Sequence, residues 1–420
     1  MSLQQEFHTP HFVMVTLAFE GGGPERDAIF LCNALAARGM RVVIAVLRGE
    51  GPLRAFIDPA VRIVAVGERR IRYALPTLRR TLRSLAPRVV LSSGVPSLNL
   101  MTLLAVRTLP RHARPKLVLR ENSVPSMARH DPSRSNRIAY RFLLRLYRFA
   151  DRIVTLTDGV REDLIRLFSV PRAMVSVMRT NAVLPPTIVD RLSRWDGEAG
   201  REAGLIIWVG RLSAEKDAYS ALRAVGMLSP NRRWRLAMIG DGPLRSELES
   251  FCRSNRIDER VIFTGYIADP IAWMMRANVL VLSSLYEGFG NVIIEALACG
   301  TSVVCTDCPY GPREILQGGR YGTLTPVGDY AKLATAIEAA LDHFPERKAL
   351  MQHGLEHTAD RAAAQLLDII ADLELEPSSR TQSLIDGSET ERLHDTAVAH
   401  PYQKAHRQAF ADKAAADAQQ

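Results

Sequence analysis

Ten consecutive residues, Tyr286-Glu287-Gly288-Phe289-Gly290-Asn291-Val292-Ile293-Ile294-Glu295, set two carboxylates on either side of a glycine-spaced turn. Carboxylates accept several hydrogen bonds at once, which suits them to sugar hydroxyls. The segment follows an apolar run, VLVLSS, and opens a helical pattern, VIIEALA, that stops at Gly300. Glycines at 288 and 290 let the backbone approach a ligand closely. Asn291 is placed to cap the helix, whose first amides point at a phosphate. Upstream, Gly210-Arg211-Leu212-Ser213-Ala214-Glu215-Lys216 follows another apolar run, with Arg211 offering a planar fork for phosphate oxygens and Lys216 a point charge. Gly240-Asp241-Gly242-Pro243 makes a tight turn after a third run. Taken singly these read as a capped helix, a solvated strand end and punctuation. Together they suit a ligand carrying both phosphates and hydroxyls.

In the first half, Glu20-Gly21-Gly22-Gly23-Pro24-Glu25-Arg26 joins an apolar run to a helix. Pro24 fits a first helical turn, and the glycines leave room for a phosphate.

The elements that must position these residues are strands alternating with helices. Apolar runs predict strands at 12–18, 41–47, 61–66, 88–92, 116–120 and 152–156, then at 205–209, 235–239, 260–264, 278–282 and 301–305. Continuous apolar strands between helices imply parallel sheets covered on both faces. The expected fold is therefore α/β, with two Rossmann-like doubly wound domains facing a cleft, ligands sitting at the carboxyl ends of the strands. The expected domains are 1–185, a Pro-, Gly- and charge-rich linker at 186–204, a second domain at 205–374, and a loosely ordered tail at 375–420 with a short helix near 402–416.

The chain has 420 residues, 47% of them hydrophobic and 24% charged, as in an ordinary globular protein of two or three domains. No apolar run approaches the ~18 residues of a membrane-spanning helix, and the N-terminal residues lack a signal-peptide pattern. The expected location is the cytoplasm. Five cysteines indicate no disulfide framework, and the lone Cys305-x-x-Cys308 reads as packing. A net charge of +9, largely arginine, fits an anionic partner, yet no zinc-finger spacing, RNA-binding signature or helix-turn-helix points to nucleic acid.

In order along the chain, G-R-L-S-x-E-K, G-D-G-P-L-R, F-T-G-Y, S-x-Y-E-G-F-G-N-V-I-I-E-A-L-A-C-G-T and G-P-R-E-I-L resemble the family 4 glycosyltransferases of the GT-B fold. The resemblance is dense from about 205 to 330 and continues through Gly21–Gly23, Thr157-Asp158-Gly159-Val160 and Asn181-Ala182-Val183. It implies a retaining hexosyltransferase that needs no metal and no resident cofactor, the nucleotide-sugar being a co-substrate. Arg211 and Lys216 would grip the donor diphosphate with the backbone of Gly290, Asn291 and Val292. Glu287 would hold the sugar ring beside Phe289, and Glu295 the ribose. The base would lie near Tyr266 and Ile267, with Asp241 and Gly242 beside it. Gly22 and Gly23 would serve the acceptor side.

Two departures stand out. Where many members carry a histidine after the strand at 116–120, this chain reads Arg120-Glu121-Asn122-Ser123, so either Glu121 or Asn122 takes that acceptor-side place. Where C-G-T-P-V-V is common, it has Cys299-Gly300-Thr301-Ser302-Val303-Val304.

Arginines at 134, 137, 141, 145, 148 and 152 lie within an arc of roughly 80° on a helix. Ile138, Phe142, Leu143, Leu146, Tyr147 and Phe149 cover much of the rest, so the stripe reads as a solvated face or as a dock for anionic lipid. Arg69, Arg70, Arg72, Arg79, Arg80 and Arg83 add to that charge. The expected function is transfer of a hexose or N-acetylhexosamine from a nucleotide-diphosphate sugar, a UDP-sugar in the leading form, to a lipid-linked or polysaccharide acceptor in cell-surface glycan synthesis. The expected partners are the donor, that acceptor and an anionic membrane surface, with a peripheral position on the inner face of the cell membrane. A catalytically weak donor- or partner-binding relative is the alternative, prompted by Asn122. A nucleotide-sugar epimerase is opposed by the intact Arg211, Lys216, Glu287 and Glu295 set.

Overall fold

The computed structural model describes residues 9–20, 22–67, 71–130, 133–343 and 346–375. Gly21, Arg69, Arg70 and the expected helix near 402–416 lie outside them, as does the Arg72 side chain. The described chain divides into two units, one running to Asp190 and resuming at Glu356, the other running from Arg191 to Leu355.

In the first unit the order is β1 (Phe12–Ala18), α1 (Gly23–Ala37), β2 (Val42–Arg48), β3 (Arg62–Ala65), α2 (Leu75–Leu85), β4 (Val89–Ser92), α3 (Pro96–Arg107), β5 (Lys116–Glu121), α4 (Arg134–Leu146), β6 (Arg152–Thr155), α5 (Asp158–Phe168) and β7 (Val175–Val177). Among the described residues these strands form a seven-stranded parallel sheet ordered β3-β2-β1-β4-β5-β6-β7. Alternate strand residues such as Val13, Val15, Val90, Leu117 and Leu119 share one core with Leu103 of α3 and Tyr140 and Leu143 of α4.

Helix α6 (Pro186–Ser193) spans the point where the first unit gives way to the second. The expected linker is therefore helical over its first half, with Pro186 starting the helix. The second unit runs β8 (Leu205–Val209), α7 (Ala218–Gly226), β9 (Arg235–Ile239), α8 (Arg245–Ser254), β10 (Val261–Gly265), α9 (Ile271–Arg276), β11 (Val279–Leu282), α10 (Asn291–Ala298), β12 (Ser302–Thr306), α11 (Gly311–Ile315), β13 (Thr323–Thr325), α12 (Tyr330–Asp342) and α13 (Arg347–Gly354). Its described strands form a six-stranded parallel sheet ordered β10-β9-β8-β11-β12-β13. In both sheets the strand order reverses beside the first strand, which opens a crevice at the carboxyl edge.

The final described helix, α14 (Ala359–Leu375), corrects the expected extent of the second domain, 205–374. It belongs to the first unit and packs on α1. Ala362, Ala363, Leu366 and Ile370 are buried along one stripe. Leu184 and Ala359 are joined by a backbone bond of 2.9 Å, Thr180 and Gln365 bond each other, and Arg38 pairs with Asp360 at 2.9 Å.

Candidate functional site

The second unit gathers its chemistry at the carboxyl edge of β9, β8 and β11. After β8, Gly210 donates its amide to Ile239 O at 3.0 Å, and Leu212 donates to Asp241 O at 3.0 Å. The two loops touch backbone to backbone. A Cβ on Gly240 would lie 1.8 Å from Gly210 O, and one on Gly242 would lie 2.4 Å from Leu212 O. Only glycine fits, so the G-D-G turn is a packing requirement of the loop that carries Arg211. Gly240 also donates to Gly265 O at 2.9 Å, which brings Tyr266 and Ile267, just beyond β10, to the same edge as Asp241 and Gly242. Tyr266 is 48% exposed. Asp241 bonds the Gly242 amide at 2.8 Å.

Beyond Leu212, a short helical turn at Ala214–Lys216 ends on Asp217, whose left-handed backbone (φ 42°) starts α7. The segment after β11 straps this turn down: Leu285 N donates to Glu215 O at 2.9 Å, and Ser283 Oγ donates to Asp217 O at 2.7 Å. The strap delivers Lys216 Nζ to Glu287 Oε1 at 2.6 Å, and Ser284 Oγ donates to the same oxygen at 2.7 Å. Burial opposes the Lys216 charge, but the Glu287 carboxylate outweighs it and leaves the ammonium pKa raised. Arg211, by contrast, is exposed. Ser284 opens the S-x-Y-E-G-F-G-N motif but was given no role in the sequence, since its bond to Glu287 exists only once the turn is folded.

The loop itself is held from its far side. Glu287 N donates to Pro309 O at 2.7 Å and Tyr310 N donates to Glu287 O at 3.0 Å. A Cβ on Gly311 would lie 1.6 Å from Phe289 O, so G-P-R-E-I-L packs directly under the loop. The cap differs from expectation: Gly290, with φ 106°, is the N-cap of α10 with no side-chain cap bond, and Asn291 is its first residue. A positive φ at the cap is available to glycine without strain. Asn291 and Val292 are half-buried at the helix start, whereas Glu295, one turn on, is 3% exposed. Cys305 and Cys308 are buried, and burial pushes both thiols up.

In the first unit, Gly22 is the N-cap of α1, and Pro24 occupies its first turn as expected. A Cβ on Gly22 would lie 2.3 Å from Glu25 Oε2, so the Glu25 carboxylate folds back over this turn. Burial raises its pKa. Sheet alternation turns Glu121 and Asn122 to opposite sides. Glu121 is fully buried, accepts from Tyr140 Oη at 3.2 Å, from Ser123 N at 3.1 Å and from Tyr147 Oη, and burial pushes its pKa up to about 7 against those bonds. It lies beneath α4, bonded to Tyr140 and Tyr147. Asn122 turns the other way, donates Nδ2 to Ser93 O at 3.2 Å and sits over Gly94, where a Cβ would come within 2.7 Å. Its Oδ1 is buried without a partner among the described residues.

On α4, Leu143 packs inward together with Ala139 and Tyr140, and Tyr147 is buried just beyond the helix. Ile138, Phe142 and Leu144 do not: they are 49%, 56% and 44% exposed, interleaved with exposed Arg134, Arg141 and Arg145. Two of the apolar residues expected to cover the helix thus share its outer face with the arginines. On α2, Arg80 and Arg83 are exposed and Arg79 bonds Thr108 O at 3.2 Å. No helix among the described residues is long and apolar enough to cross a membrane.

Comparison with known proteins covers both units. A family model described as "Glycosyltransferase Family 4" matches residues 21–180, and one described as "Glycosyl transferases group 1" matches residues 203–343. The chain is 29% identical over 235 residues to N-acetylgalactosamine-N,N'-diacetylbacillosaminyl-diphospho-undecaprenol 4-alpha-N-acetylgalactosaminyltransferase of Campylobacter jejuni, covering 56% of this chain and 62% of that relative's length. It is 27% identical over 339 residues to the lipopolysaccharide core biosynthesis glycosyltransferase LpsE of Rhizobium meliloti, covering 80% of this chain and 90% of the relative. Among solved structures, Anabaena HepE in complex with UDP and glucose superposes with a TM-score of 0.68 at 18% identity, over 86% of this chain and 100% of that one. With two parallel-sheet α/β domains of the GT-B fold, each matched by its own family model, the chain belongs to the family 4 (group 1) glycosyltransferases.

Proposed function

We propose that this protein is a retaining hexosyltransferase that moves a hexose or N-acetylhexosamine from a UDP-sugar to a lipid-linked or polysaccharide acceptor in cell-surface glycan synthesis. The observation that carries the reading is the Lys216–Glu287 pair at 2.6 Å, set at the sheet's carboxyl edge between exposed Arg211 and the glycine-capped start of α10. A departing diphosphate gains charge in the transition state, and fixed cations stabilise it there more than in the ground state. Arg211 and Lys216 supply that charge in this reading, with no resident metal or cofactor. Glu287 faces the sugar hydroxyls and Glu295 the ribose, while Tyr266 and Ile267 line the base. Gly22, Gly23 and Asn122 serve the acceptor. The Campylobacter and Rhizobium relatives, one named for a diphospho-undecaprenol substrate and one for lipopolysaccharide core biosynthesis, favour a membrane-borne acceptor.

The outer face of α4 supports a peripheral position on the cytoplasmic face of the membrane. Exposed Ile138, Phe142 and Leu144 among arginines form the mixed apolar and cationic surface that an anionic lipid interface stabilises.

The function is tested by screening UDP-, GDP- and ADP-sugars for thermal stabilisation, then measuring nucleotide release and anomeric configuration with lipid-linked acceptors. Transfer with retained configuration and without added metal is expected. Donor binding with no transfer above a Lys216→Ala/Glu287→Gln background favours the non-catalytic alternative.

A further inference from the structure

Beneath the glycine loop of the first unit lies a row of polar side chains on the sheet. Val15 pairs with Ser92, and Leu91 with Val118. One and two residues on, Thr16, Ser93 and Arg120 therefore stand side by side across β1, β4 and β5. They point away from the core built on Val13, Val15, Val90, Leu117 and Leu119, because successive strand residues face opposite sides. Arg120 is 1% exposed. Its Nη2 donates to Asn181 Oδ1 at 3.0 Å, and Asn181 Nδ2 donates to Asp27 Oδ2 at 2.6 Å. Arg120 Nε and Nη1, Thr16 Oγ1 and Ser93 Oγ are buried with no hydrogen-bond partner among the described residues. Burial lowers the Arg120 pKa, and the Asp27 charge opposes that shift.

This arrangement is costly for packing alone. A buried guanidinium with unpaired N–H groups is worse than an apolar side chain of the same volume. What it does accomplish is a connection. Asp27 lies one turn into α1, just past Gly22 and Gly23. Arg120 lies two residues before Asn122. Asn181 lies in the segment that leads to α6. One chain of hydrogen bonds thus fixes both acceptor-side features to each other.

We propose that Arg120 is a positioning residue for acceptor binding: through Asn181 and Asp27 it sets the Gly22–Gly23 turn against Asn122. The proposal rests on the transferase reading above. Removing Arg120 leaves the donor residues of the second unit intact, so its effect falls on the acceptor.

The test uses the full chain with Arg120→Met/Asp27→Asn, which removes both charges together, and with Arg120→Lys, which keeps the charge but shortens its reach. Each is followed by amide hydrogen exchange, UDP-induced thermal stabilisation, and kinetics with a UDP-sugar and a lipid-linked acceptor. We expect faster exchange in peptides covering 22–27 and 120–123, unchanged stabilisation by UDP, and a donor KM within about twofold of the parent. Acceptor KM should rise roughly tenfold, the scale of one lost hydrogen bond. A folded variant with the parent's acceptor KM overturns the proposal, and so does unchanged exchange in both segments. Should the double variant not fold, Arg120→Lys carries the same comparison. If the parent protein neither binds nor transfers any sugar nucleotide, it is the transferase reading that fails, and the exchange data still show whether the bridge orders the two segments.

Discussion

Burial disfavours the Lys216 charge, but the Glu287 carboxylate 2.6 Å away outweighs it and leaves the ammonium pKa raised, so Lys216 is charged before any ligand arrives. A preorganised cation of this kind is worth most where charge develops, on the leaving diphosphate. Replacing Lys216 or Arg211 by Ala should lower turnover by roughly 10²–10³-fold in steady-state assays. Near-parental rates in both would remove the assigned donor site. Glu295 and Glu287 divide differently. Contacts to a ribose are made equally in ground and transition states, so Glu295→Ala should raise donor KM with kcat little changed. Glu287→Gln should instead lower kcat, because it loosens Lys216 as well as the sugar contact. Equal effects on both parameters in both variants would break this division.

Most elements that present these residues were legible as strings. Strands at 12–18, 205–209 and 235–239 coincide with β1, β8 and β9, because long apolar runs in covered parallel sheets allow few other readings. β7 and β13 were not anticipated: three residues at a sheet edge, as in Val175–Val177 and Thr323–Thr325, hold too little pattern to separate from a loop. The glycine-rich loops after β8, β9 and β11 were legible through their residue order, but the strap from Ser283 to Leu285 and the seat under Phe289 came only with tertiary structure. On α4 the arginine stripe was visible, whereas the exposure of Phe142 depends on which neighbours the fold supplies. That exposure sharpens a prediction. Arg141, Arg145 and Arg148 changed together to Glu should abolish sedimentation with anionic vesicles at low salt, and the parent's binding should weaken steeply as salt screens the surface. A parent protein that ignores such vesicles at every salt concentration rules out the membrane role.

At the scale of the whole molecule, three carboxyls among the described residues, Glu25, Asp217 and Glu121, share one direction of shift. Burial raises Glu25, raises Asp217 to about 6, and raises Glu121 from 4.5 to about 7. Each binds its proton more tightly folded than unfolded. The stability each contributes is complete below its ordinary pKa and is lost as pH rises through the raised one. For Glu121 that window is pH 4.5 to about 7, with a loss on the order of 3 kcal/mol across it. Denaturant titrations should therefore show falling stability over this range, and Glu121→Gln, which stays neutral, should flatten the slope. An unchanged slope would mean that the tyrosine bonds offset the burial.

The return of α14 to α1 makes the second unit an insertion within the first. Arg38 and its partner Asp360 are separated by 322 positions. During synthesis Arg191–Leu355 leaves the ribosome ahead of α14, the last described helix of the first unit. The inserted unit can close during synthesis, since its strands are contiguous. The outer one must wait, leaving the α14-facing side of α1 uncovered until α14 has left the ribosome. Chaperone dependence should accordingly concentrate in that interval, and a released chain truncated at Leu355 should present a folded second unit attached to an unfinished first one.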